Sequence, residues 1–120
     1  MEEKGELLLQ VQLIRKRYNL IVRLRGELDH HTANYFRQPV EKELKKNIVQ
    51  NLILNLENLT FMDSSGLGVI LGRYKQIRER GGEIVICGLD KHNQRIMQLG
   101  GLLKIIPVCS DEDEALAKFK

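Results

Sequence analysis

Polar and apolar positions along this chain follow two different periods. Five short apolar runs read as strands: LLLQVQLI at 7–14, LIVRL at 20–24, NLILNL at 51–56, EIVICGL at 83–89 and KIIPV at 104–108. In the first run Gln10 and Gln12 alternate with Leu9, Val11 and Leu13, so one face of that strand is wet. Only the polar stretch 15–19 separates the first two runs, which predicts a hairpin. Pro107 lacks an N–H group and places the last strand at a sheet edge.

Between the runs the period changes to three and four. Ala33, Phe36, Val40 and Leu44 form one apolar stripe, interrupted by Pro39, which predicts a helix that starts late or is kinked there. Leu67, Ile70, Leu71, Tyr74 and Ile77 form a second stripe, closed by Arg78, Arg80 and the Gly81-Gly82 pair. A third helix is predicted from Lys91 to Leu99, ending at Gly100-Gly101, and a fourth from Ser110, whose hydroxyl can cap it. The order β-β-α-β-α-β-α-β-α predicts one α/β domain over 1–120: a mixed, mostly parallel sheet of about five strands with about four helices.

Composition narrows the function classes. With 42% hydrophobic and 29% charged residues, this is the balance of a soluble globular protein. The net charge of +3 would permit a nucleic-acid partner. However, the basic residues are scattered along helix faces, including 73–80, without interleaved aromatic residues, so no direct nucleic-acid contact is expected. Cys87 and Cys109 belong to no CxxC pair, and no apolar run reaches the ~18 residues of a membrane span. A cytoplasmic protein without membrane insertion is expected.

Most catalytic constellations fail on spacing. His30 and His31 are adjacent and His92 is far along the chain, so no metal site is expected. Ser64, His30 and Asp29 lack the G-x-S-x-G elbow of a hydrolase. In GLGVILG the third glycine falls one position too late for G-x-G-x-x-G, and the run NLILNL ends well before it. No Gly-Lys-Ser/Thr sequence is present. No cofactor is expected.

The stretch MDSSGLG at 62–68 remains. A helix starting near Ser64 carries Gly66, Gly68 and Gly72, each costing roughly 1 kcal/mol against alanine. Ser65, Gly68, Val69 and Gly72 fall along one shallow stripe. That stripe serves either close packing inside the domain or close approach by a partner. Ser64 either caps the helix, in competition with Asp63, or accepts a phosphate that the helix terminus tolerates. A nucleotide-binding protein with weak NTPase activity and a homodimer seam are the other open readings.

The runs GELDHHTA at 26–33 and LILNLENLTFMDSSGLGVILGRYKQI at 52–77 resemble the bacterial anti-anti-sigma factors, or STAS domains, most closely their sporulation branch. The resemblance covers nearly the whole chain. It implies an anti-sigma factor antagonist, not an enzyme, that is phosphorylated on Ser64. The implied kinase is the anti-sigma factor itself, with a histidine-kinase-like fold that holds ATP or ADP. The unphosphorylated form would bind that kinase and release a sporulation sigma factor; a serine phosphatase would restore it. The implied binding surface joins the loop Gly26, Glu27, Leu28 and Asp29 to Asp63, Ser64, Ser65, Gly66, Gly68, Val69 and Gly72.

Overall fold

The computed structural model describes residues 8–119; Leu7, the expected start of the first strand, lies outside them. One sheet has the order β1-β2-β3-β4-β5. Its strands are β1 (Leu9–Lys16), β2 (Asn19–Leu28), β3 (Asn51–Met62), β4 (Ile84–Cys87) and β5 (Val108–Cys109). β1 runs antiparallel to β2 across a two-residue turn at Arg17-Tyr18, and the other three pairings are parallel. Four α-helices follow among the described residues: α1 (Ala33–Leu44), α2 (Ser64–Glu79), α3 (Lys91–Leu99) and α4 (Glu112–Ala117). This is the mixed, mostly parallel α/β sheet that the order of elements predicts.

The two sheet faces are covered unequally. Leu20, Val22 and Leu24 of β2, Leu52, Leu54 and Leu56 of β3, and Ile84 and Ile86 of β4 form one buried face. Against them pack Phe36, Val40 and Leu44 of α1, Ile70 and Ile77 of α2, and Met97 of α3. On the reverse face, among the described residues, Ile21, Ile53, Val85, Cys87 and Cys109 pack with Ala115 and Leu116 of the short α4, Phe119 just beyond it and Ile14 of β1. Fully burying each such aliphatic side chain contributes about 1.5–3 kcal/mol, so the first face dominates stability.

Four local predictions are corrected. β2 and β3 continue past Leu24 and Leu56 to Leu28 and Met62. β3 carries two bulges: its pairing with β2 runs Arg23 with Asn55, Arg25 with Asn58, Gly26 with Leu59, then Glu27 with Phe61. The inward apolar spacing therefore changes from two to three at Leu56, Leu59 and Met62, which ends a strict alternation without ending the strand. The run at 104–108 is mostly not a strand; a 3₁₀ turn at Leu102–Lys104 precedes the two-residue edge strand β5. Asp111, rather than Ser110, caps α4 by accepting from Glu114 N–H at 2.9 Å. α1 begins on time at Ala33 and runs through Pro39.

α4 is tied to the sheet by charge. Glu112 accepts from Arg23 Nε at 2.7 Å and Nη2 at 2.8 Å, and from Asn55 Nδ2 at 2.6 Å. The Arg23 hydrogen bonds hold its carboxyl below the ordinary range against the opposing effect of burial. These groups line an open polar groove of about 720 Å³ on the reverse face, with Gln10, Gln12 and Arg25. No helix among the described residues is long and apolar enough to cross a membrane.

Two outcomes follow from these groups. A carboxylate held low stabilises the fold above its unfolded value, and that contribution is lost as pH falls through the lower folded value. Glu112→Gln should cost about 1–2 kcal/mol in urea unfolding at pH 7, limited by the exposure of Arg23, and should cost progressively less in acid. The Cys87 thiol is pushed up to about 12, chiefly by burial. Stability should therefore be insensitive to this thiol near neutrality and fall as pH rises above its ordinary value toward 12. A thiol-exchange reagent at pH 8 should modify Cys87 only after denaturant is added.

Candidate functional site

α2 starts where β2 and β3 end. Asp63 N–H donates to the Leu28 carbonyl at 3.3 Å, and the Asp63 Oδ1 atom accepts from Ser65 N–H at 2.8 Å and Gly66 N–H at 3.2 Å. Asp63 is therefore the helix cap, and Ser64 occupies the first helical position with its side chain exposed. Because β3 reaches Met62, the strand-to-helix connection is the single residue Asp63, whereas a strand ending with NLILNL at Leu56 would have left seven residues, 57–63.

The glycines divide into two sets. Gly66 is buried, and a Cβ there would lie 2.7 Å from both the Leu28 carbonyl oxygen and Met62 Cγ. Only glycine lets the first turn of α2 approach the strand ends this closely. At Gly68 and Gly72 a Cβ would meet nothing within 4 Å. Those two positions are open, with half-buried Ser65 and Val69 beside them. Gly68 and Gly72 thus open outward while Val69 between them packs partly against the core, and Gly66 faces the core.

The 26–29 segment is a strand end and turn rather than a free loop. Gly26 sits in β2 at φ 110°, where a side chain would collide with the Leu8 carbonyl. Leu28 is fully buried. Asp29 Oδ1 accepts from His31 N–H at 2.9 Å and Thr32 N–H at 3.1 Å. Thr32, fully buried, donates its hydroxyl to the Glu27 carbonyl at 2.8 Å and accepts from Asp29 N–H at 2.9 Å. Glu27 and Asp29 remain half-buried at the surface, and His30 Nδ1 stands 3.9 Å from Asp63 Oδ2. The structure therefore brings this turn and the start of α2 together. Gly26, Leu28 and Gly66 support the surface from behind.

Four supporting residues escaped the sequence reading. Thr32 was visible only as the fourth residue of D-x-x-T, a spacing that favours a side-chain-closed turn. Asn93 is buried and donates to the Leu59 carbonyl at 2.9 Å, fixing α3 to the bulged part of β3. Arg73 corrects the reading of 73–80 as a solvated face. Its side chain is 8% exposed and its Nη2 lies 3.2 Å from Glu41 Oε1 of α1. Arg80 also turns inward, donating to the Leu44 and Val49 carbonyls at 2.9 and 3.2 Å. Alternating basic and apolar letters do not reveal which arginine finds an acceptor across a helix seam.

Among the described residues no group of three or more His, Cys, Asp or Glu side chains is placed to hold a metal ion. The sequence matches the STAS domain family model over residues 10–115. The chain belongs to the STAS domain family of anti-sigma factor antagonists. This STAS domain is 44% identical over 112 residues to an anti-sigma F factor antagonist of Paenibacillus polymyxa, covering 93% of this chain and 96% of the relative. It is 37% identical over 90 residues to an anti-sigma-B factor antagonist of Listeria monocytogenes, covering 74% and 77% respectively. The phosphorylated form of the Bacillus cell fate determinant SpoIIAA superposes with a TM-score of 0.74 at 31% identity, covering 92% of this chain and 99% of that one. The unphosphorylated form of SpoIIAA superposes at 0.72 with 28% identity, covering 90% and 94%.

The seam beneath the α2 surface of this STAS domain is asymmetric. Burial lowers the Arg73 pKa, while Glu41 opposes that shift and remains partly solvated. Glu41→Gln strands a buried cation and should cost about 2–4 kcal/mol in urea unfolding. Arg73→Met leaves a carboxylate that water can reach and should cost less. Equal losses in the two variants would contradict this account of the seam.

Proposed function

We propose that this STAS domain is a phosphorylation-switched antagonist whose α2 surface binds an anti-sigma factor serine kinase. The observation that carries the reading is the exposed Ser64 hydroxyl next to the open positions Gly68 and Gly72. The surface comprises Glu27, Asp29, Asp63, Ser64, Ser65, Gly68, Val69 and Gly72, held in place by Gly26, Leu28 and Gly66. A partner backbone can approach the two open glycines without meeting a side chain. Kinship with anti-sigma F and anti-sigma-B factor antagonists supports the class of partner. The stronger identity to the former favours a sporulation sigma factor as the one released.

The switch needs no enzyme activity from this chain. Ser64 Oγ attacks the γ-phosphorus of ATP held by the kinase; ADP leaves, and the hydroxyl proton passes to a base on the kinase. A serine phosphatase then hydrolyses the ester with water, returning serine and inorganic phosphate. Phosphate adds about −1.5 to −2 charges at the rim of the docking face. The first turn of α2 tolerates that charge because its dipole favours anions, even with the Ser65 and Gly66 N–H groups taken by Asp63, so the fold survives while docking is opposed. The whole cycle operates in the cytoplasm.

The test is binding of the full chain to the anti-sigma kinase with nucleotide, measured by calorimetry. Wild type should bind, and Ser64→Asp should bind at least about tenfold more weakly, corresponding to 1.4 kcal/mol. Ser65→Ala should still accept phosphate and Ser64→Ala should not. Equal affinities for wild type and Ser64→Asp, or phosphate mapped to Ser65, would overturn the reading.

A further inference from the structure

We propose that Leu71 of α2 and Leu99 of α3 form an apolar docking ridge for the anti-sigma factor, rimmed by cations that call for acidic side chains on that partner. The inference rests on the reading of α2 as the docking helix and adds the chemistry that the partner presents there.

Leu99 is 81% exposed, the most of any large hydrophobic side chain among the described residues. It is the last residue of α3, whose buried residues are Asn93 and Met97. The following residue fixes where that helix end lies: a Cβ on Gly100 would stand 2.8 Å from Leu67 Cδ1. The end of α3 is therefore set against the first turns of α2. At about 100° per residue, a path around α3 leads from buried Met97 and Asn93 through Gly100 to Ile96 and then Leu99. Leu99 thus lies beyond the position that meets α2, on the same side of the helix and open to water.

Leu71 is its counterpart on α2. It lies one turn after Leu67 and is half-buried, yet among the described residues it joins neither apolar cluster, whereas Leu67 and Tyr74 pack against the larger one. Around α2 it falls between Leu67, which meets α3, and Ser64. Gly68 lies on the far side of Ser64, with open space where a side chain would be. Exposed leucines scattered singly need no explanation, but two on adjoining helices beside a candidate phosphoacceptor make a continuous surface. Its occupant is the anti-sigma factor that docks on α2, because the ridge, Ser64 and Gly68 share one face.

The rim of the ridge carries charge. Lys75 follows Leu71 by one turn and Arg95 precedes Leu99 by one. Both are exposed, and neither forms an ion pair among the described residues. An apolar side chain flanked by carboxylates is the partner feature that fits. Burying the leucines supplies affinity, while the cations speed and orient the encounter. A phosphate on Ser64 stands at the margin of this apolar contact, where losing its water opposes docking.

The experiment measures binding of the full chain to the anti-sigma factor with nucleotide by calorimetry, and the association rate by stopped flow. Glutamine is a good helix former, so Leu71→Gln and Leu99→Gln should leave the helices intact. Each should weaken binding on the order of tenfold, and Leu99→Met should retain wild-type affinity. The urea midpoint of Leu99→Gln should match wild type, which separates a lost contact from a lost fold. Ile48→Gln, at an exposed position between α1 and β3, should leave affinity unchanged. A double variant, Lys75→Glu with Arg95→Glu, should associate more slowly at low salt, and the difference should shrink as salt is raised. Wild-type affinity in Leu99→Gln overturns the proposal. So does a dimer of the isolated chain in sedimentation that Leu99→Gln dissolves without weakening the complex, since the ridge then serves a second copy. If Leu99→Gln binds weakly while Ser64→Asp binds as wild type does, the ridge stands and the phosphorylation switch fails.

Discussion

The close approach of α2 to the strand ends at Gly66 is the constraint on which the rest of this domain depends. A methyl group at that position would collide with the Leu28 carbonyl and with Met62, so the helix would be pushed away from the sheet. The same approach lets Asp63 N–H reach the Leu28 carbonyl while its carboxylate closes the first turn. Ser64 is exposed midway between Met62 and Gly66, two residues to either side, which both face inward. One absent side chain thus links the core, the cap and the candidate modification site.

From there the domain separates support from display. Leu28, Thr32, Gly66, Asn93 and Arg73 are buried and hold strand ends, bulge and helices to one another. Gly68 and Gly72, one helical turn apart, present bare backbone on the outer side of α2. Glycine in mid-helix is costly, and two open glycines lack the packing benefit that explains Gly66. No packing among the described residues uses the space beside them. The reverse face of the sheet has a different character, since its polar groove is built around an ion pair already satisfied by Asn55.

The regular parts of this architecture were legible because they obey a single period. The stripe Phe36, Val40 and Leu44 and the limits of α3 follow directly from spacing and from the glycines after Leu99. β3 was truncated because each bulge replaces a step of two with a step of three, which imitates the end of a strand. The segment at 104–108 misled for the opposite reason: an apolar run is indifferent to whether its backbone is extended or wound into a 3₁₀ turn. At the site, DSSG marked a helix start but left Asp63 and Ser64 both open as its cap, whereas the inward turn of Leu28 and Gly66 depends on contacts across the chain. Arg73 was unreadable because a buried arginine is defined by its acceptor, and Glu41 lies on another helix.

The paired bulges of β3 also conserve parity. Inward-facing residues fall on even numbers at Leu52, Leu54 and Leu56, shift to an odd number at Leu59, and return to an even number at Met62. Either bulge alone would leave Met62 on the reverse face and rotate the start of α2 to the wrong side of the sheet. The two irregularities therefore form one unit of inheritance: this strand can gain or lose residues in twos, but a change of one would turn the whole site inside out.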